Sequence, residues 1–404
     1  MYDVIIIGGG AAGFFCAAQI IEQKPNAKVL ILERAKDVLQ KVKISGGGRC
    51  NVTHACWEPN ELIKNYPRGS KELLGPFNKF CTGDMVYWLE QNNVETKIEE
   101  DGRMFPTSDS SQTIIDCLLG ATLKKGVELQ CNQNVQSLKK VGDTWSVKTK
   151  SSLFKAKTIM IAAGSSKFVW NMLKDLGHQI IEPVPSLFTF NTKDFRLKSL
   201  AGLSVAKAEL SINGSKLQSQ GPLLVTHWGL SGPAILRLSA WGAIELAKLN
   251  YKFTLKVNFS GLEEFQVREQ IENLKKGGEK KAISNYPQFQ IPKRLWQSII
   301  PSQLESKAYK SLDHKEMDQL LDSICQAKFK INGKSTFKDE FVTAGGIELS
   351  EVDFRTMESK VLLGLHFGGE VLNIDAITGG FNFQAAWTTG WLAAKGIIGM
   401  LDNQ

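Results

Sequence analysis

The chain contains no Cys-x-x-Cys pair in its 404 residues, and its seven cysteines are widely spaced and odd in number. That excludes a dithiol redox site and a zinc ribbon, and it suits a reducing, cytoplasmic home. No basic leader precedes the first apolar run, so no secretory signal is expected. No apolar run is long enough to span a bilayer: the longest candidate, 385–401, is broken by Lys395 and by glycines and reads as a buried helix. Charge imbalance is small, with 49 Lys and Arg against 41 Asp and Glu, a net of +8. It favours anionic ligands in general and, spread over this length, is weak evidence for a nucleic-acid partner. The 36 glycines follow no collagen period. Apolar residues make up 43% and charged residues 22%, a globular composition. At about 150 residues per domain, the length suits two or three domains.

What is present is concentrated at the start. Tyr2 to Ile7 reads as a strand buried on both faces. Gly8-Gly9-Gly10-Ala11-Ala12-Gly13 follows at once, a G-x-G-x-x-G between a strand and a helix of about Ala11 to Gln23. A second strand, Lys28 to Leu32, ends at Glu33, twenty positions beyond Gly13. Each residue type has a task. Gly8 permits the tight turn, Gly10 lets the backbone approach a pyrophosphate, and Gly13 lets helix pack on strand. The helix start, with Ala12, offers free N–H groups to phosphate. Glu33 is placed to accept hydrogen bonds from an adenosine ribose, which disfavours a 2′-phosphate and therefore NADP at this site.

Which dinucleotide binds turns on later segments. Ser45-Gly46-Gly47-Gly48-Arg49-Cys50-Asn51 is a second glycine-rich element, suited to a long ligand and hence to FAD over NAD. Lys157 to Ala163 reads as another buried strand ending at Gly164, preceded by strand-like runs 127–131 and 144–149 around a Gly142-Asp143 turn. Near the C-terminus, 361–367 is apolar and Gly368-Gly369-Glu370 follows. Thr378-Gly379-Gly380-Phe381-Asn382 then opens a helix, whose N-terminus is placed to face the flavin pyrimidine edge. There is no second G-x-G-x-x-G. NADH or NADPH therefore docks transiently without its own Rossmann unit, or the substrate itself is the reductant.

The chain resembles the HI0933-like flavoprotein family, also called the BaiN/aminoacetone-oxidase-type FAD-binding enzymes. The stretches that carry the resemblance are Gly8–Gly13, Lys41–Thr53, Asp101–Pro106, Thr226–Leu236, Ile291–Trp296, Phe341–Ile347, Thr356–Lys360 and Gly368–Trp391. The resemblance implies an α/β, Rossmann-like FAD-binding domain built from 1–190 and 341–404. An inserted middle region would comprise a small β-barrel, 191–262, and a helical part, 263–340, covering the isoalloxazine. The Asn213-Gly214 hairpin signal and the charged, helix-like 263–326 agree with it. The cofactor-contacting set extends to Lys41, Val135, Ala163, Gly164, Gly369 and Gly380. Three departures stand out: Ala162-Ala163-Gly164-Ser165, Ser166 to Trp170, and Asn373 replace the family's usual residues there. The first two are expected to reshape the wall near the flavin.

Individual residues admit two readings each. His227 is the one catalytic candidate, a proton donor beside the flavin or a core histidine. Arg49 pairs with phosphate or a substrate carboxylate, or it holds its loop through a salt bridge. Cys50 packs against the ring rather than acting as a redox thiol. Cys50, His54 and Cys56 match no common zinc spacing, so no metal is expected. Glu370 accepts from a ribityl hydroxyl or is a surface acid. Arg103 reaches substrate or stabilises a turn. The expected function is an FAD-dependent oxidoreductase moving hydride between flavin N5 and a small organic substrate. An NAD(P)H-driven reductase of an activated C=C bond leads. An amine-type oxidase using O₂ and a tRNA-binding or tRNA-modifying flavoprotein are the alternatives. The +8 charge and the Lys275-Lys276 and Lys280-Lys281 cluster are the only signals for the last.

Overall fold

A computed structural model describes residues 1–335 and 342–402. The chain divides into two compact units, Met1–Val184 with Lys338–Gln404, and Pro185–Phe337. No helix among the described residues is long and apolar enough to cross a membrane.

The first unit is built on a nine-stranded sheet. Strand Tyr2–Ile7 lies inside it, parallel to Val29–Leu32 on one side and Leu153–Ile161 on the other. Glu128–Gln130 extends the sheet beyond Val29–Leu32, and Leu365–Phe367 beyond Leu153–Ile161, again in parallel. Val4, Ile5 and Ile6 are wholly buried, as an unbroken apolar strand covered on both faces requires. Each of these inner strands runs into a glycine or an acid at its carboxyl end: Gly8 after Ile7, Glu33 after Leu32, Gly164 shortly after Ile161, and Gly368 after Phe367. In open α/β sheets this edge is where ligands bind.

Helix Ala11–Gln23 packs along the C-terminal helix Phe381–Asp402. A Cβ on Gly390 would stand 2.8 Å from the Ala12 carbonyl oxygen, so glycine sets how closely the two helices approach. The two ends of the chain thus build one layer.

The hairpin around Gly142-Asp143 joins Thr144–Thr149 to Val135–Val141, not to 127–131. Residues 128–130 pair instead with 30–32. The sequence VQSLKKV hides this strand because a register shift between Val135 and Ser137 puts Val135 and Leu138, three apart, both inward. Strict alternation is lost, and with it the strand signal. In 361–367 only Leu365–Phe367 is strand. Val361 and Leu363 are exposed.

The second unit holds an antiparallel seven-stranded sheet. Its order is Ala327–Asn332, Lys252–Asn258, Ser204–Ile212, Gln218–Thr226, Gly229–Ser231, Thr189–Asn191 and Lys334–Ser335. The Asn213-Gly214 turn joins Ser204–Ile212 to Gln218–Thr226, as the dipeptide predicts. The first and last strands of this order, Ala327–Asn332 and Lys334–Ser335, are separated only by Gly333, whose carbonyl accepts from Asn191 N–H at 2.9 Å, so the order returns on itself as a small barrel does. Helices Glu264–Lys276, Lys293–Ile299 and His314–Cys325 share one core with the sheet, where Val257 and Phe329 meet Val267, Trp296 and Leu320.

Candidate functional site

The glycine turn after the first strand shows why three glycines are needed and that they serve different ends. Gly8 has φ +115°, and a Cβ there would lie 2.3 Å from the Ala162 carbonyl oxygen. A Cβ on Gly13 would lie 2.2 Å from the Gly8 carbonyl oxygen. Both positions are closed by the protein itself. Gly10 differs: a Cβ there would meet no protein atom within 4 Å. Its backbone faces a cavity and opens helix Ala11–Gln23 without a side-chain cap. The first-turn N–H groups therefore keep their donor capacity and the positive end of the helix for an anion.

Glu33 is fixed from both sides. Its Oε2 accepts from Gly9 N–H at 2.8 Å and its Oε1 from Ala35 N–H at 2.8 Å. The carboxylate lines the cavity in one orientation.

The cavity holds about 780 Å³ and lies wholly within the first unit. That is within the roughly 300–1,000 Å³ of cofactor sites. Its second wall is the glycine loop. Helical backbone ends before Ser45 (ψ 149°), and Gly46 and Gly47 are left-handed at φ 57° and 69°. A Cβ on Gly46 would press the Phe105 ring at 2.8 Å, whereas one on Gly47 would meet nothing within 4 Å. Ser45 Oγ donates to the Val42 carbonyl at 2.9 Å. Lys41 Nζ forms an ion pair with Glu370 Oε2, and both line the cavity.

The third wall is the start of the C-terminal helix. Gly380, φ 89°, brings its backbone against Thr53, where a Cβ would lie 2.4 Å from the carbonyl oxygen. Asn51, with its amide oriented to suit its neighbours, accepts from Gly380 N–H at 2.9 Å and donates to the Thr53 carbonyl at 2.9 Å. Asn382 bonds both ways to Ala376, at 3.0 and 3.1 Å. Behind this wall a buried network runs from Thr53 Oγ1 to Gln384 (2.6 Å), on to Thr388 (3.1 Å) and to the Phe80 carbonyl (2.9 Å). Such satisfied networks fix one arrangement of the elements they join. Gly369 N–H donates to Thr389 Oγ1 at 2.9 Å, tying the Gly368-Gly369 turn to the same helix.

The sequence-selected residues sort cleanly. Gly8, Gly10, Ala12, Glu33, Lys41 and Ser45 line the cavity, as do Gly46, Gly47, Asn51, Val135 and Ala163. Gly164, Gly369, Glu370, Gly380 and Asn382 complete them. Gly13, Arg49, Cys50 and Phe381 do not line it. Arg49 Nη1 donates to Glu99 Oε1 at 2.6 Å, and its guanidinium lies 4.0 Å over the Phe105 ring. Glu99 holds the Arg49 pKa above its ordinary value. The loop-holding role is the one its contacts serve. Cys50 is buried, and burial pushes its thiol up to about 12, so it stays protonated and inert at neutral pH. The Phe381 ring stacks on His54, centroids 4.5 Å apart. Arg103 lines the cavity while bonding Asp101 Oδ2 at 2.7 Å. His227 belongs to the second unit and is exposed on the turn between Gln218–Thr226 and Gly229–Ser231.

Sequence reasoning missed the pair Arg68–Asp375. Asp375 is wholly buried, and its two carboxylate oxygens accept from Nε and Nη2 of Arg68. Its neighbour Ile374 lines the cavity. The signal was an acid between the apolar Ile374 and Ala376-Ile377, a position where only a paired carboxylate is stable.

These residues fit FAD. Gly10 leaves room for a pyrophosphate at a helix N-terminus, and Glu33 stands ready for an adenosine ribose. Gly47, where an added Cβ would meet nothing within 4 Å, leaves backbone open for a second ring system.

Comparison with known proteins agrees. The family model described as the HI0933-like protein Rossmann domain matches residues 2–396. A ribosomal RNA dihydrouridine synthase of Escherichia coli K12 is 27% identical over 98% of this chain and 98% of its own. A 3-dehydro-bile acid delta(4,6)-reductase of Clostridium scindens is 25% identical, also over 98% of each chain. Among solved structures, the 3-ketosteroid-delta4-(5alpha)-dehydrogenase of Rhodococcus jostii RHA1 superposes with a TM-score of 0.53 at 13% identity, covering 98% of this chain and 96% of that one. The last likeness shows a shared fold. With the family model spanning nearly the whole chain, this protein belongs to the HI0933-like family and is an FAD-dependent oxidoreductase.

Proposed function

We propose that this protein is an NAD(P)H-driven reductase of carbon–carbon double bonds conjugated with a carbonyl, and that its substrate is a pyrimidine base in RNA. The observation that carries this reading is a chemistry shared by full-length relatives. One relative's name describes making dihydrouridine, the other reducing a 3-dehydro bile acid at its Δ4,6 positions. Both names denote saturation of a C=C bond near a carbonyl. Relatives named for RNA stand at 27% identity over nearly the whole chain, which favours the base over the steroid.

The bound flavin supplies the hydride. The chain's part is to orient, to exclude water and to balance charge. Ile374, Ile377 and Phe383 give the cavity apolar wall, which keeps water from the reacting carbon. The start of helix Phe381–Asp402 presents free N–H groups, which stabilise negative charge developing on a carbonyl or ring oxygen. A cytoplasmic location goes with the reading.

The test is anaerobic mixing of the FAD-loaded protein with NADH and with NADPH, followed by flavin absorbance. Bleaching by one of them, and recovery on adding a conjugated enone or a uridine-containing RNA, is the expected result. No bleaching by either, with peroxide formed from small amines in air, would replace this reading with the amine oxidase.

A further inference from the structure

The net charge of the chain sits in one place. The unit Pro185–Phe337 carries 22 Lys and Arg against 13 Asp and Glu, a net of +9. All other residues carry 27 against 28, a net of −1. The whole excess belongs to the unit that does not contain the glycine-turn cavity.

Strand register gathers part of it on one face. Lys252–Asn258 pairs with Ala327–Asn332 on one side and Ser204–Ile212 on the other. Leu255, Val257, Phe329, Ile331, Leu210 and Ile212 are buried in the core of the unit. Alternation therefore turns Lys252, Thr254, Lys256, Lys328, Lys330 and Ser211 to the opposite face. Lys256 stands directly across from Lys328. Like charges so placed oppose folding. None of these four lysines has an ion pair among the described residues. The acid in the same registers, Glu209, accepts instead from Asn258 Nδ2 at 3.1 Å.

Lysines on an edge strand guard against sheet-to-sheet association, which accounts for Lys328 and Lys330. It does not account for Lys252 and Lys256, whose strand is paired on both sides. The Lys275-Lys276 and Lys280-Lys281 cluster behaves differently. Lys275 donates to the Leu312 carbonyl, Lys276 faces Glu272 at 3.9 Å, and Lys281 lies 4.2 Å over the Tyr286 ring.

Beside the edge strand, Arg196 Nη2 donates to the Lys328 carbonyl and anchors the turn Phe195–Leu197 there. That turn carries Phe195, 81% exposed, flanked by exposed Lys193 and Lys198.

We propose that this sheet face, Lys252, Lys256, Lys328 and Lys330 with Phe195 at its edge, is the docking surface for the RNA backbone. Lysines meet phosphates, the interleaved Thr254 and Ser211 hydroxyls bond phosphate or sugar, and the Phe195 ring stacks a base. The absence of large apolar side chains between the lysines argues against insertion into a lipid surface. The proposal rests on the RNA reading of the substrate and adds where the strand is held.

The test measures binding of a fluorescent, mixed-sequence single-stranded RNA to the FAD-loaded protein over a salt series. The four-fold variant K252Q/K256Q/K328Q/K330Q is compared with K275Q/K276Q/K280Q/K281Q. The sheet variant is expected to lose at least tenfold in affinity and to flatten the log–log salt slope by roughly 3. The helix variant is expected to stay within about twofold of the parent. F195A is expected to weaken binding by roughly tenfold. Thermal melting and flavin content of each variant confirm that it has folded. Equal losses in both lysine variants, no loss in the sheet variant, or preference for phosphatidylglycerol vesicles over RNA overturns the proposal. If the sheet variant binds like the parent while free enones are still reduced, the docking face fails and the reductase stands. If RNA binds through this face and no double bond is ever saturated, the reductase fails and the docking face stands.

Discussion

Lys41 and Glu370 form an ion pair on the cavity wall although 329 positions separate them in the chain. One follows the first crossover and the other follows the last parallel strand, so the pair exists only when both ends of the chain have met. Its carboxylate also faces the ligand space. E370A removes the acceptor and leaves Lys41 without this partner. FAD affinity is expected to fall roughly tenfold, with E370Q intermediate, in titrations of the stripped protein followed by flavin fluorescence. Unchanged affinity in E370A would place Glu370 outside the contact set.

The three glycines of the first turn separate folding from binding. G13A drives a methyl into the Gly8 carbonyl and is expected to give unstable or insoluble protein. G10A meets no protein atom, so the apoprotein should lose about 1 kcal/mol or less by denaturant unfolding. FAD uptake by G10A should nevertheless fall at least tenfold, because the added methyl occupies the pyrophosphate approach. If G10A binds FAD normally, the cavity is not the pyrophosphate site.

Arg68 and Asp375 make a buried, two-pronged pair beside Ile374. D375A removes both carboxylate acceptors from a guanidinium that is almost fully buried, which should cost about 3–5 kcal/mol in denaturant midpoint shifts. R68K keeps the charge but not the fork, and should fall between D375A and the parent. A loss under about 1 kcal/mol in D375A would mean the pair contributes little.

His366 lies wholly buried on strand Leu365–Phe367, and neither ring nitrogen has a hydrogen-bond partner among the described residues. Burial drives its pKa down from the ordinary 6.5 to about 3. The unfolded chain thus binds this proton at a higher pH than the folded one. The contribution is complete above the unfolded pKa and is lost as pH falls toward 3, at about 1.4 kcal/mol per unit. Between about pH 7.5 and about pH 5 the parent should lose roughly 2 kcal/mol more than H366M. Parallel pH profiles for the two proteins would contradict the neutral, partnerless imidazole.

The sequence showed these features unevenly, for physical reasons. Tyr2–Ile7, the three glycines and Glu33 were legible because strand, turn and helix signals there are local and agree with one another. The strand Val135–Val141 was hidden by its register shift. The Arg49 contact depends on Glu99 and Phe105, fifty and more positions away, and no spacing rule reaches that far. A net charge of +8 averaged over the chain is weak support for a nucleic-acid partner, whereas the fold places the entire excess in one unit and half-hides it in strand alternation.

The account depends on FAD filling the first-unit cavity. The most direct measurement is titration of stripped, colourless protein with FAD, parent beside G10A, followed by flavin absorbance and fluorescence. The parent should take up one equivalent of FAD per chain with saturation, and G10A should not saturate at that dose. A parent that takes up no flavin, or a G10A that takes it up as readily, would contradict the account.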